Sequence, residues 1–213
     1  TKKYCSISTY KNNLSYMIQM CQKKGASCYV MTPIPRYEFK KGTLWYRYKA
    51  YQKAVKEVAG KTGAKCIDLG SEMIQYYKYA GKKAYKALYM ILPAGKYAEY
   101  PNGYTDKTHL NEKGAKLVAK IVANRLTESD MKCTAKKNLK VSTKQLKELL
   151  HTAERVKLKN YKGKPGRTLK SAIAYGKKIY YSVDATEKKV TNACEKLRKA
   201  MRNLKKVKSA AAS

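Results

Sequence analysis

The 213 residues are long enough for one large domain or two small ones, and the 44% hydrophobic content is that of a globular chain. The net charge of +34, from 48 basic and 14 acidic side chains, is spread along the whole length: residues 1–129 carry 24 basic and 8 acidic groups, residues 130–213 carry 24 and 6. Such a field attracts polyanions (nucleic acid, anionic wall polymers, acidic polysaccharides) without choosing among them, while no run approaches the roughly 18 apolar residues of a membrane helix.

The chain starts at Thr1 with no basic stretch leading into an apolar one, so no signal peptide is read there. From Tyr10 to Lys23, Leu14, Met17, Ile18 and Cys21 fall at helical spacing, with Gly25 as the stop. The apolar run Ser27–Thr32, ended by Pro33 and Pro35, has the character of a buried parallel strand. A second helix is predicted over Tyr48–Gly60 and a second strand over Lys65–Leu69, with Ser71 as the N-cap of the next helix. That helix is predicted over Ser71–Ala80, and another over Lys82–Leu92. A Pro/Gly loop then leads to a helix over Asn111–Leu126, with Leu117, Val118, Ile121, Val122 and Leu126 on one face. Strands separated by helices predict a parallel α/β sheet, of which two strands are only a part.

After Thr127 the pattern changes. Residues 130–141 are polar and lysine-rich and are read as a linker. Three helical stripes come next: Leu146, Leu149, Leu150, Ala153 and Val156 behind a Ser142/Gln145 capping box; Leu169, Ala172, Ile173, Gly176 and Ile179; and Val190 to Val207, opened by Asp184 and Glu187 in capping positions. Together they predict a three-helix bundle, with a short disordered tail at Ser209–Ser213. The domains are therefore drawn at 1–129 and 130–213.

Six cysteines (5, 21, 28, 66, 133 and 194) include no C-x-x-C pair, which argues against structural zinc. Most sit in apolar runs, where a free thiol packs as a small hydrophobe, and their oxidation state is left open. Nothing in the pattern calls for a metal or a cofactor. Of the two histidines, His151 falls in a helical run among lysines and is read as an exposed helix residue. His109 lies three residues after Asp106, in Tyr104-Thr105-Asp106-Lys107-Thr108-His109-Leu110-Asn111-Glu112-Lys113-Gly114-Ala115. A carboxylate at that spacing can fix the imidazole tautomer and stabilise the imidazolium formed when histidine takes a proton from a nucleophile.

The block D-x-x-H-L-N-x-x-G-A followed by an amphipathic helix resembles the last block of the SGNH, or GDSL-like, hydrolases. Lys24-Gly25-Ala26 leading to Val30-Met31-Thr32-Pro33-Ile34-Pro35-Arg36, Gly63-Ala64-Lys65-Cys66-Ile67-Asp68-Leu69, and Tyr100-Pro101-Asn102-Gly103-Tyr104 resemble the rhamnogalacturonan acetylesterase branch. The likeness covers about residues 8–127. It implies the C-terminal part of a three-layer α/β/α, flavodoxin-like domain that hydrolyses acetyl or similar esters on an acetylated acidic polysaccharide, in a secreted or cell-surface protein. It also implies His109 as general base and then acid, Asp106 as its orienting partner, and Arg36, after a strand end, on the substrate side.

The serine block and the two oxyanion-hole blocks of that family are missing from this chain, which therefore reads as a fragment, inactive alone. The three helical stripes resemble FIVAR-type modules appended to secreted carbohydrate enzymes. The competing reading is a non-catalytic surface protein that holds polyanions or carbohydrate through its lysines. No nucleic-acid-reading motif is visible, and the 20 tyrosines, able to stack on sugars or bases, do not discriminate.

Overall fold

The computed structural model describes residues 5–126, 143–161 and 163–210. It is mixed α/β, and the chain divides into two compact units, 1–122 and 123–213. The predicted linker at 130–141, Ser142 of the predicted capping box, and Cys133 lie outside the described residues.

In the first unit, helix α1 (Ile7–Lys23) is capped by Ser6, whose hydroxyl accepts from Thr9 N at 3.0 Å. Strand β1 (Tyr29–Met31) comes next, then a hairpin of β2 (Phe39–Lys40) and β3 (Thr43–Leu44), whose turn places Lys41 and Gly42 at positive φ. Helix α2 (Lys49–Thr62) ends at Gly63 in the left-handed conformation and leads into β4 (Lys65–Ile67). Strand β4 pairs with β1 in parallel, Val30 opposite Cys66, which is the crossover predicted between the two apolar runs. Helix α1 packs on α2 through the Tyr10–Tyr51 edge-to-face pair, the Lys11–Glu57 ion pair and Ile18. Only part of its predicted apolar stripe is covered: Met17 and Cys21 are exposed. Among the described residues β1 has a single strand neighbour, so it is less enclosed than a central parallel strand, and Met31 is exposed.

The chain beyond β4 departs from the prediction in three ways. Asp68, not Ser71, caps helix α3 (Leu69–Lys86), because its carboxylate accepts from Ser71 N at 3.3 Å. The predicted break near Ala80 is a kink at Gly81 within α3. Most consequentially, Lys82–Leu92 is not one helix: α3 stops at Lys86, and Tyr89–Leu92 is a strand, β5. Its partner is β6 (Tyr104–Leu110), a polar stretch with no strand signature, paired antiparallel to it. Among the described residues, six short strands thus form three two-stranded sheets where two parallel strands were predicted. Helix α4 (Glu112–Ala123) buries Gly114, Leu117 and Ile121.

The second unit holds α5 (Lys144–Glu154), α6 (Lys164–Tyr180) and α7 (Glu187–Ala210), packed around one apolar core that includes Leu146, Leu150, Leu169, Ile179, Leu197 and Leu204. Pro165 in the first turn of α6 uses a position whose N–H has no helical partner. Thr186 rather than Asp184 caps α7: its hydroxyl accepts from Lys189 N at 3.4 Å. Helix α7 continues through Ser209 to Ala210, past the start of the predicted tail. The Gly176 α-carbon is pressed toward Leu150 and Leu197, and an added Cβ would lie 2.9 Å and 3.1 Å from their methyls. Glycine there lets α6 approach its two neighbours.

Leu197, fully buried among these helices, should be costly to truncate. Leu197→Ala is expected to lower unfolding free energy by about 3 kcal/mol, read as a reduced denaturant midpoint of the helical circular-dichroism signal. Leu197→Met, which keeps the volume, should cost less than about 1.5 kcal/mol.

Candidate active site

The strand pair β5–β6 carries the site by being irregular. Leu110 faces Tyr89 and Thr105 faces Ile91, so residues 106–109 bulge out opposite Met90 alone. The bulge is closed by Asp106. Its Oδ1 accepts from Thr108 N at 2.6 Å and from His109 N at 3.0 Å, while Oδ2 lies 2.5 Å from His109 Nδ1. One carboxylate thus shapes the turn and holds the ring. The His109 side chain is 77% exposed and that of Asp106 is 18% exposed, an arrangement that shields the carboxylate and presents the imidazole. With Nδ1 engaged, Nε2 is the nitrogen able to take a proton. Hydrogen bonding from the His109 ring, helped by the His109 and Thr108 amides, holds the Asp106 carboxyl down to about 2. It stays ionised wherever histidine chemistry operates.

The rest of the D-x-x-H-L-N-x-x-G-A block fastens this turn to the domain. Asn111 Nδ2 donates to Ala87 O at 3.0 Å and Tyr89 O at 2.9 Å, and its Oδ1 accepts from Gly114 N at 3.1 Å. One side chain therefore ties the start of β5 to the first turn of α4. Gly114 sits so close to Leu88 that an added Cβ would fall 2.2 Å from the Leu88 carbonyl oxygen. Any side chain would push α4 off the strand. The Asn111–Gly114 contact spans three residues, but the partners of these two at Ala87, Leu88 and Tyr89 lie more than 20 residues upstream and were legible only through the block.

Arg36 comes after β1, and its segment is brought to the bulge: Tyr37 N donates to Lys107 O at 2.8 Å. The Arg36 guanidinium pairs with Glu38 at 3.2 Å, and Glu38 also takes Arg47 at 3.1 Å. The Arg36 Nε is buried without a hydrogen-bond partner. Arg47 and Lys40 both lie over the Trp45 ring, 4.6 Å and 3.6 Å from its centroid. His151 lies exposed in the last turn of α5. Among the described residues no group of three or more His, Cys, Asp or Glu could hold a metal ion, and no helix is long and apolar enough to cross a membrane. Of the five described cysteines, all free, Cys5, Cys21 and Cys66 are exposed and Cys194 is buried. The expectation that most pack as core hydrophobes fails, since the apolar runs holding them are themselves only partly covered.

A carboxylate-oriented histidine presented at the surface is the acid–base element of nucleophilic hydrolases, and similarity places the chain beside carbohydrate esterases. It is 31% identical over 129 residues to the rhamnogalacturonan acetylesterase RhgT of Bacillus subtilis (strain 168), covering 60% of this chain and 54% of that protein. It is 28% identical over 127 residues to the probable rhamnogalacturonan acetylesterase YesY of the same organism, with the same coverage. The chain spans about half the length of the curated relatives it matches. No family model matches it, and no solved structure does so. These similarities support an SGNH-like esterase relationship, and the mixed α/β first unit is compatible with part of such a domain.

The low Asp106 pKa owes most to the His109 ring. In His109→Ala the carboxyl should titrate upward, toward the ordinary value of about 4, as read by carbon-detected NMR of the side chain. Because the folded-state value is depressed, the stability that this pairing adds is present above about pH 4 and fades as the pH falls through 2. His109→Ala should flatten that acid limb.

Proposed function

We propose that residues 1–129 are the C-terminal half of an SGNH-type carbohydrate-esterase domain and carry the acid–base pair of a site that deacetylates a pectic, rhamnogalacturonan-like polysaccharide. The observation that carries this reading is the 2.5 Å contact between Asp106 and the Nδ1 of a solvent-presented His109. In the reaction, His109 Nε2 takes the proton of a serine hydroxyl as its oxygen attacks the acetyl carbonyl. The proton then passes to the departing sugar oxygen, leaving an acetyl-serine. Water, deprotonated by the same nitrogen, attacks the acetyl-serine, and the proton returns to the serine oxygen as acetate leaves. Asp106 keeps its charge throughout and stabilises the imidazolium. Arg36 is assigned to the substrate side.

In this reading the serine and the oxyanion-hole donors are supplied by sequence outside these 213 residues. The chain by itself is accordingly inactive, and the protein to which it belongs is secreted or at the cell surface. Residues 130–213 are a linker and a FIVAR-like three-helix bundle serving as spacer or binding module. The net charge of +34 favours a second, non-catalytic contribution, the holding of an anionic polymer through lysines.

Two measurements test the reading. The 213-residue chain should not label with a fluorophosphonate above background, and labelling would overturn its assignment as a half-site. In a protein extended by a G-D-S block, His109→Ala should abolish nearly all acetate release while the melting temperature stays within a few degrees. Asp106→Asn should leave more activity than His109→Ala, because the base remains although its tautomer and orientation are lost. Full activity in His109→Ala would remove the dyad from the mechanism.

A further inference from the structure

The tyrosines divide by the work they do. Tyr85 and Tyr89 are fully buried with their hydroxyls on the Pro35 carbonyl, Tyr46 reaches the Pro33 carbonyl, and Tyr10 and Tyr51 join α1 to α2. Tyr97, Tyr100 and Tyr104 form a different group. They lie on the hairpin that runs directly into the Asp106 bulge. Tyr97 is 40% and Tyr104 42% exposed, large aromatic surface left to solvent beside the dyad.

We propose that Tyr100 and Tyr104, with Tyr97 at their side, are a stacking platform for a pyranose ring of the polysaccharide that presents its ester to His109. The proposal rests on the esterase reading and extends it to a subsite. The ring centroids of Tyr100 and Tyr104 lie 5.0 Å apart, tilted by 32°, so that Tyr100 packs against Tyr104 and braces a ring that stays 42% exposed. The electron-rich face of an aromatic ring attracts the polarised C–H groups on one side of a pyranose, and the same contact removes apolar area from water.

The platform is built before any ligand arrives. Tyr97 and Tyr100 form an antiparallel bridge; Tyr100 N donates to Tyr97 O at 3.0 Å, Gly95 N to Pro101 O at 2.9 Å and Gly103 N to Tyr100 O at 2.9 Å. Gly103, at φ 76°, is packed so that a Cβ would meet Leu92 O at 2.7 Å, and Tyr104 is locked opposite Leu92 in the ladder. Little ordering cost is then left for binding.

Position supplies the link to the chemistry. Tyr104 precedes Asp106 by two residues on β6, about 7 Å along an extended strand, so the proposed platform leads directly into the turn that carries the dyad. Lys96, whose ammonium lies 5.7 Å from the Tyr97 centroid, and the exposed Lys107 would meet the carboxylates of an acidic chain.

The test is the affinity of the 213-residue chain for an acetylated rhamnogalacturonan oligosaccharide, by NMR titration in 0.5 M NaCl, where binding through scattered lysines is screened. Tyr104→Ala and Tyr100→Ala should each raise Kd about tenfold. Tyr104→Phe, which keeps the ring and controls for folding, should stay within twofold. Unchanged affinity in both alanine variants, or no binding by the parent chain, would overturn the platform. Tyrosine-dependent binding together with no acetate release by the extended protein would support the platform while sinking the esterase reading, so the two fail separately.

Discussion

The first unit depends on how a proline-bearing loop after β1 satisfies its backbone. Thr32-Pro33-Ile34-Pro35 lacks two N–H groups and cannot continue a ladder. Its carbonyls are taken by tyrosines instead: Tyr46 OH donates to Pro33 O at 2.6 Å, and the hydroxyls of Tyr85 and Tyr89, 2.9 Å from each other, converge on Pro35 O. Burial pushes the Tyr89 phenol up to about 12, so these hydroxyls stay neutral donors across any working pH. The two lower tyrosines belong to the end of α3 and the start of β5, while the next residue but one, Tyr37, donates to Lys107 in the Asp106–His109 bulge. A single buried carbonyl thus sets the height of β5 under the loop. Through β5 and Tyr37 it also fixes β6 beside Arg36.

A second knot holds the carboxyl ends of β1 and β4. Thr32 donates to Asp68 at 2.9 Å and accepts from Gly70 N at 2.9 Å, and Asp68 also takes Gln52 at 2.7 Å and the Lys56 ammonium. Burial alone would raise the Asp68 pKa, but donation by Lys56, Gln52, Ser71 and Thr32 outweighs it and holds the carboxyl far below its usual range. Gly70 is required at this junction, since a Cβ would fall 2.3 Å from the Tyr46 hydroxyl. The Tyr46 side chain therefore serves both knots, joining the proline loop to the cap of α3. Rigidity is concentrated where strand ends meet loops, the region in which open α/β sheets build their sites.

Legibility in the sequence depends on which residues carry their own signal. Val30 and Ile67 lie in short apolar runs between helical stripes, and a parallel pair was readable there. Tyr85, Leu88, Tyr89 and Leu92 fall at offsets of 0, 3, 4 and 7, a helical stripe by period. The backbone of Tyr89–Leu92 nevertheless pairs with β6, because tertiary pairing overrides local period in a run this short. Strand β6 itself, Tyr-Thr-Asp-Lys-Thr-His-Leu, has no alternation, since four of its seven residues leave the ladder to make the Asp106 turn. Asp106 and His109 were readable as a pair because three residues of spacing suffice for their contact. The Asn111–Gly114 bond has the same short spacing, whereas the contacts of Asn111 with Ala87 and Tyr89, and of Gly114 with Leu88, lie more than 20 residues back and carry no local signal.

That difference in range has a consequence for catalysis. The proposed acid–base pair is a local object: a carboxylate, two amides and one imidazole within four residues of chain, joined by hydrogen bonds among themselves. The nucleophile and oxyanion donors of such a site are long-range objects, brought in by strands distant in sequence. The Asp106 turn forms within β6 and is fastened to β5 and α4 by Asn111 and Gly114. The His109 ring is open to solvent while the Asp106 carboxylate it contacts is largely covered. A preformed base of this kind places its full reorganisation cost in folding rather than in the reaction. In the proposed site, a nucleophile has only to bring a hydroxyl against one exposed nitrogen.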